Sequence, residues 1–436
     1  MNYNFEIPSD VQYIIDVLYK NGYEAYMVGG CVRDIVLGRK PNDYDITTNA
    51  KPHIVASLFK KVILTGLKHG TVTVVINNNQ YEVTTYRVDG DYEDNRHPEN
   101  VSFVNNIRDD LSRRDFTINA MAYNNRSGLI DCFEGICDLN NKIIRTVGNA
   151  ENRFKEDALR MLRAVRFAVQ LDFKIEESVL KSIINLSKNI ESISKERIRE
   201  EFNKIVIKDP KGLKLLYKCG LLQYILNDLD KAFSNPNNFN KNLFNHLINS
   251  SCEIENKLYL RLVMLFHDLG ELYIDKEKYN NYSVESAQLA ENILRNLKYD
   301  KITINKVKTL ILHHEDILES KFSIKKLLNS IGKNLFEDLI KVKRAHAYSI
   351  NCSNTKKKID EINIIENKYN HIISENECFH LKNLNINGED LIKIGVSKGK
   401  DIGIMLNYLL TKVMKDNQIN SKEKLISIAL EKLKEN

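Results

Sequence analysis

The run Val28-Gly29-Gly30-Cys31-Val32-Arg33-Asp34, followed closely by Asp43-Tyr44-Asp45, constrains the fold more than any other stretch of the chain. Residues 25 to 28 are apolar or aromatic, as a buried strand requires. The two glycines permit a sharp turn and a close backbone approach to a ligand. Residues 31 to 37 make about two helical turns, and Gly38 is a natural stop. The spacing therefore predicts a strand, a tight turn and a short helix whose N–H groups and positive dipole end face whatever lies over the turn. Arg33 adds a rigid fork of donors. Gly30 and Arg33 thus mark a place for an anion, a triphosphate above all.

Asp43 and Asp45 stand two apart on an expected second strand. Side chains at that spacing leave one face, ~6.5 Å apart along the chain. Two carboxylates so placed suit a pair of divalent ions about 3.5–4 Å apart, the clamp of in-line phosphoryl transfer. An Asp-x-Asp alone is more often a solvated loop; its position just after Gly-Gly-x-x-Arg-Asp is what makes it informative.

These residues resemble the first motif of the class II nucleotidyltransferases, the family of bacterial tRNA CCA-adding enzymes and poly(A) polymerases. Further stretches extend the resemblance. Arg113-Arg114-Asp115-Phe116-Thr117 is similar to the family's second motif, with Arg114 in the nucleotide-contacting position; by composition alone it also reads as a basic helix cap. Asp131 to Asp138 resembles the next motif, a turn closing the head. Glu156-Asp157-Ala-Leu-Arg160-Met-Leu-Arg163-Ala-Val-Arg166 resembles the base-reading helix.

The last of these carries its own chemistry. On one continuous helix Asp157 and Arg160 are neighbours, while the i+3 row drifts by about 60° per step, so Arg166 is expected to point away from Asp157. Aspartate only accepts hydrogen bonds and arginine only donates. Cytosine and adenine each present a donor beside an acceptor in the matching order; uracil and guanine present the reverse and would leave buried polar groups unpaired. Outside this context the same pair is an ordinary surface salt bridge.

Elsewhere the chain reads in order. Ser9-Asp10 is expected to cap a helix with Val11, Ile14, Ile15 and Leu18 on its apolar face. Residues 71–76 and 81–87 alternate in polarity and predict a hairpin through Asn77-Asn78-Asn79. Glu82 on its second strand is either a third carboxylate or a solvent-facing strand residue. Residues 88–106 are polar and predict a mobile loop; the resemblance makes it the loop beside the active site, which disfavours an enzyme adding cytidine alone. Ser194 to Glu201 reads as a capped helix start, and it resembles the family helix that braces the base-reading one. His267-Asp268 resembles the metal-binding core of HD phosphohydrolases, but Tyr282 stands where a further histidine is expected, so this segment reads as a remnant. Glycines at 395, 399 and 403 with Lys398 and Lys400 suit phosphate contacts in a tail, or simple helix packing.

A net charge of +6 suits a polyanionic partner. Seven cysteines without Cys-x-x-Cys spacing argue against a disulfide framework or a zinc ribbon. No signal run or membrane-length apolar stretch is present, which predicts a cytoplasmic protein without membrane association.

The expectation is an α+β chain. A small mixed, antiparallel-leaning nucleotidyltransferase head over 1–147 precedes an all-helical neck (148–210), body (211–340) and tRNA-binding tail (341–436). The resemblance implies addition of C, C and A to tRNA 3′ ends from CTP and ATP with release of pyrophosphate. Mg²⁺ would sit on Asp43 and Asp45. Gly30, Arg33, Arg114, Asp157, Arg160, Arg163 and Arg166 would hold the nucleotide, in a monomer or homodimer. A-only or poly(A) addition is the alternative within the family. A metal phosphohydrolase using His267-Asp268 is the alternative outside it.

Overall fold

The computed structural model describes residues 5–90, 101–234, 243–273, 282–349 and 354–434. The chain divides into two compact units, Met1–Asp230 and Lys231–Asn436.

The first unit opens with α1 (Ser9–Lys20), which buries Val11, Ile14, Ile15 and Leu18. Pro8 rather than Ser9 occupies the N-cap, and no side chain caps the helix. Asp10 is committed elsewhere. Its carboxylate accepts from Asn77 Nδ2 at 2.9 Å, Asn79 Nδ2 at 3.3 Å and the Tyr81 hydroxyl at 3.1 Å. Two residues on, the Gln12 side-chain carbonyl accepts from Asn125 Nδ2 at 2.7 Å.

Next come β1 (Ala25–Val28), α2 (Gly30–Val36), β2 (Asp45–Thr48), α3 (Pro52–Leu58), β3 (Val62–Gly66), β4 (Thr71–Ile76) and β5 (Asn79–Thr85). After them come β6 (Arg87–Asp89), β7 (Val101–Phe103), α4 (Ile107–Ser112), β8 (Met121–Asn124) and β9 (Gly128–Asp131). One seven-stranded sheet runs β3-β4-β5-β2-β1-β8-β9. It is mixed: β2 and β5 are parallel and the other neighbours antiparallel. Every residue of β1 is buried, as befits a central strand covered on both faces. The β4–β5 connection is shorter than expected. Ile76 pairs with Asn79, so only Asn77 and Asn78 turn the chain, at φ 49° and 67°. Two left-handed asparagines match the twist of a two-residue hairpin turn.

The expected loop after Arg87 begins and ends as a ribbon, with Arg87, Val88 and Asp89 paired to Phe103, Ser102 and Val101. Its residues 91–100 lie outside the described residues. The head closes with α5 (Gly135–Asn141), whose N-terminal N–H groups are held by Asp131: Gly135 N donates to Oδ1 at 2.8 Å and Ile136 N to Oδ2 at 2.9 Å.

Helices then dominate: α6 (Ala150–Glu156), α7 (Leu159–Leu171), α8 (Glu177–Leu186), α9 (Lys195–Lys208), α10 (Gly212–Lys218), α11 (Leu222–Ile225) and α12 (Asn227–Ser234). A short parallel pair, β10 (Ile143–Ile144) with β11 (Lys174–Ile175), ties the start of this run to the head.

Among the described residues, the regular elements of the second unit are all helices. It contains α13 (Leu243–Glu253), α14 (Leu258–Phe266), α15 (Tyr282–Asn296), α16 (Lys301–His313), α17 (Lys321–Ile331), α18 (Lys333–Ser349) and α19 (Thr355–Ser374). The last helices are α20 (Gly388–Lys393), α21 (Lys400–Lys415) and α22 (Lys422–Lys434). They share a core that includes Leu391, Leu409, Val413 and Leu425. Asn387 and Asp390 form a reciprocal capping box at α20. No helix among the described residues is long and apolar enough to cross a membrane.

Candidate active site

The diglycine turn and the first carboxylates meet because of strand register. Val28, the last residue of β1, pairs with Asp45, the first of β2. On its other side, Ile46 pairs with Val83 of β5, which brings Glu82 alongside Asp45. Asp43 precedes the strand instead of lying within it, which corrects the expectation of two strand positions on one face. The reason is that β1 ends opposite Asp45. Gly29 turns the chain there at φ +80°, leaving no ladder for Asp43 to join.

Asp45 has its pKa raised to about 6. Loss of surrounding water comes first, then the negative charge of Asp43; Arg114 opposes them and Glu82 adds to them. The side chain still reaches solvent from the cleft, so this withdrawal of water is partial. Glu82, exposed on β5, adds its negative charge to that of Asp43 beside Asp45. Among the described residues, every group of three or more ligand atoms lying within 4.8 Å of one another falls in the second unit. The head's three carboxylates are more widely spread, as like charges are. As hard oxygen donors they fit an oxygen-preferring divalent cation. Burial pushes the neighbouring Cys31 thiol up to about 12, assisted by the Asp45 charge, so it is inert.

Arginines line the turn, each fixed by a partner. A Cβ on Gly29 would sit 3.1 Å from Arg114 Nη1, so the glycine makes room for that guanidinium. Arg114 Nη2 donates to Asp110 Oδ2 at 3.3 Å, and Arg113 Nε and Nη2 donate to Asp110 Oδ1 at 3.0 and 2.7 Å. Asp110 on α4 is fully buried and also accepts from Thr47 Oγ1 at 3.2 Å. Burial alone raises such a carboxyl, but Arg114 and Arg113 outweigh it and hold the pKa below the usual range. Sequence reading missed Asp110; its signal was an acid three and four residues ahead of two arginines.

Arg33 is less free than its motif implies. Its Nε and Nη2 donate to Asp34 Oδ1 at 2.9 and 2.7 Å, and Nη1 donates to Asn119 Oδ1 at 2.7 Å. Asn119 Nδ2 in turn donates to Asp115 Oδ1 at 3.1 Å, and Arg163 Nε and Nη2 donate to Asp115 Oδ2 at 2.9 and 2.6 Å. Against its burial, Arg163 and Asn119 bring Asp115 down to about 2. Arg166 pairs with Glu201 of α9 at 2.7 Å. The guanidiniums of Arg33, Arg163 and Arg166 gather round the Phe167 ring, 5.1, 5.3 and 3.9 Å from its centroid. Burial comes first, and the like charge of Arg163 assists, in lowering Arg166 to about 10.

The pair expected on one helix is arranged differently. α6 ends at Glu156 and α7 begins at Leu159, with Asp157 in extended backbone between them at φ −143° and ψ 104°. Asp157 makes this break itself, since its Oδ1 accepts from Leu159 N at 3.0 Å, a local bond that competes with the helical one. Its carboxylate then receives Arg197 Nη1 at 3.3 Å and Nη2 at 2.8 Å. Arg160 turns to Glu156 Oε2 at 2.5 Å, Arg153 O at 3.3 Å and Arg113 O at 3.2 Å. So Asp157 and Arg160 are held by separate partners. Arg197 and Glu201, four apart on α9, brace Asp157 and Arg166. Ser194 itself makes no side-chain cap.

The chain is similar to known proteins along nearly its whole length. Residues 25–145 match the profile of the poly A polymerase head domain. Residues 172–233 match the probable RNA and SrmB-binding site of polymerase A, and residues 281–429 match tRNA nucleotidyltransferase domain 2. The CCA-adding enzyme of Ligilactobacillus salivarius is 34% identical over 429 residues, 97% of this chain and 96% of that protein. That of Lactobacillus delbrueckii subsp. bulgaricus is 50% identical over 202 residues, a match spanning 46% of this chain and about half (51%) of the relative. Among solved structures, the Bacillus stearothermophilus CCA-adding enzyme in complex with CTP is 28% identical with a TM-score of 0.74, covering 97% of this chain and 96% of that one. The Thermotoga maritima CCA-adding enzyme complexed with tRNA shares the fold, at 21% identity and a TM-score of 0.60, over 98% and 96% of the two chains. With a relative more than 30% identical along nearly its whole length, the chain belongs to the CCA-adding enzyme family of tRNA nucleotidyltransferases.

Proposed function

We propose that this protein adds C, C and A to the 3′ end of tRNA from CTP and ATP, without a nucleic-acid template, releasing pyrophosphate. The observation that carries the reading is the meeting of Asp45, Asp43 and Glu82 with Arg114 at a diglycine turn. The full-length relationship to CCA-adding enzymes supports it, as does the solved relative with bound CTP.

In this reading Asp43 and Asp45 hold Mg²⁺ with Glu82 beside them; once bound, the ion supplies Lewis acidity toward the primer hydroxyl and the pyrophosphate. Gly30 and Arg33 receive the triphosphate at the start of α2, and Arg114 takes the sugar-phosphate. Arg163 and Arg166, set on the Phe167 ring, add positive charge where phosphate charge gathers. Asp157 offers acceptors and Arg160 donors to the base edge, matching cytosine and adenine and leaving uracil and guanine unpaired. Because Arg197 and Glu156 fix those two groups, the pattern is set before the base arrives. The divisions at 147, 210 and 340 remain our reading of head, neck, body and tail, with a cytoplasmic enzyme acting as monomer or homodimer.

The test is incorporation of labelled CTP and ATP into three tRNAs, ending at the discriminator base, after one C and after two Cs. The reading expects two C additions and one A, in that order. Addition of A alone identifies an A-adding or poly(A) enzyme, and no incorporation overturns the reading.

A further inference from the structure

Phe167 lies on α7 and carries no polar group, yet three of the arginines assigned to the phosphates meet on its ring. Arg33 reaches it from α2, and Arg163 and Arg166 from earlier positions of α7. Their Cζ atoms lie 5.1, 5.3 and 3.9 Å from its centroid, all inside cation–π range. The ring is 4% exposed and packs edge-on against Phe116, with centroids 5.6 Å apart and planes at 80°. Phe116 is itself fully buried, so the ring rests on a fixed wall.

Three guanidiniums in so small a volume repel one another. Arg33 and Arg166 are buried, where water screens charge weakly. Arg166 records the crowding: burial foremost, with the like charges of Arg163 and Arg33 assisting, brings it to about 10 against the pull of Glu201. Each arginine also has a carboxylate, but the three carboxylates stand apart in the fold. Arg33 is held by Asp34 of α2 at 2.7 Å, Arg163 by Asp115 at 2.6 Å and Arg166 by Glu201 of α9 at 2.7 Å. Those bonds use guanidinium edges and draw the three groups toward three different partners. A guanidinium also has a face, and the face is what an aromatic ring takes. Phe167 is a partner common to all three.

We infer that Phe167 is a positioning residue for the triphosphate: its ring gathers Arg33, Arg163 and Arg166 into one cationic spot before a nucleotide arrives. The inference rests on the reading that these arginines receive the phosphates. Without the ring's negative face, the arginines would follow their carboxylates apart and the spot would widen. The groups assigned to the base edge have their own fixed partners, Arg197 for Asp157 and Glu156 for Arg160. Phe167 therefore sets how tightly any nucleotide is held, and not which base is taken.

The experiment places phenylalanines carrying one, two and three ring fluorines at position 167 of the full-length protein. Fluorines drain charge from the ring face and change its shape little, so a purely structural role would not register them. Single-nucleotide incorporation gives KM and kcat for CTP on tRNA ending at the discriminator base, and for ATP on tRNA ending in two Cs. KM for both is expected to climb with each fluorine, to about 10-fold with three. The expected kcat stays within about twofold of wild type, with UTP and GTP still refused. Binding of inorganic pyrophosphate, followed by calorimetry, is expected to weaken in parallel. A KM indifferent to the fluorines overturns the inference, as does a fall in kcat alone or a change confined to one nucleotide. Failure of the parent reading looks different: the wild type incorporates neither nucleotide. The pyrophosphate titration then decides, and binding that is absent, or equal across the series, overturns the inference.

Discussion

Arg197 of α9 holds the Asp157 carboxylate through two hydrogen bonds, at 3.3 and 2.8 Å, across a break between two helices. The residue assigned to base reading is therefore positioned by one forty places further along the chain. Replacing Arg197 with Met removes both bonds and frees the carboxylate to rotate. We expect kcat/KM for CTP to fall by about 10²-fold and incorporation of UTP to rise. Single-nucleotide incorporation with each of the four triphosphates measures this, and an unchanged preference would separate Asp157 from base selection.

Asp45 is expected to govern the acid limb of activity. With its pKa raised to about 6, it takes up a proton as pH falls through that value and loses its capacity for a cation. Incorporation is expected to decline below about pH 6, and more Mg²⁺ to move that limb to lower pH, because ion and proton compete for one carboxylate. Asp45→Ala is expected to abolish addition and to leave tRNA binding near normal. A limb indifferent to Mg²⁺ would remove Asp45 from the metal site.

Glu82 is placed beside Asp45 by the parallel pairing of β2 and β5. Glu82→Gln keeps the shape and removes one negative charge. The Mg²⁺ concentration for half-maximal incorporation should rise at least about 10-fold, while the Asp45 acid limb shifts to lower pH. Mg²⁺ dependence equal to wild type would return Glu82 to an ordinary strand position.

Asp115 carries stability as well as position. Its folded pKa of about 2 lies below its unfolded value. The stabilisation is therefore fully present above the unfolded pKa and is lost as pH falls toward 2. Asp115→Asn leaves Arg163 without its partner and should cost about 3 kcal/mol near neutral pH. Denaturation followed from pH 7 downward is expected to show the wild type and variant converging in acid. A gap that stays constant with pH would mean the ion pair is not its source.

What could be read from the sequence was local. The strand, turn and helix around Gly29 are contiguous, and the spacing to Asp45 is short, so their relation is written in one stretch. The Asn-Asn turn and the face of α1 follow from period and propensity for the same reason. The break at Asp157 was hidden by a strong apolar period from 158 to 167, which a single side-chain bond to Leu159 N overrides. The Asp115–Arg163 pair spans 48 positions. Only packing brings such groups together. Asp110 went unnoticed because a buried acid beside two arginines has the same composition as an exposed one.

The grip of Asp10 on Asn77, Asn79 and Tyr81 joins the opening helix to the hairpin whose second strand carries Glu82. Gln12 reaches the opposite edge of the sheet through Asn125. The helix thus works as a strap buckled at both ends. A purification tag, a shortened start or a fusion partner that lifts it would slacken the strand beneath the carboxylates. Chemistry would then weaken through a change made far from any nucleotide.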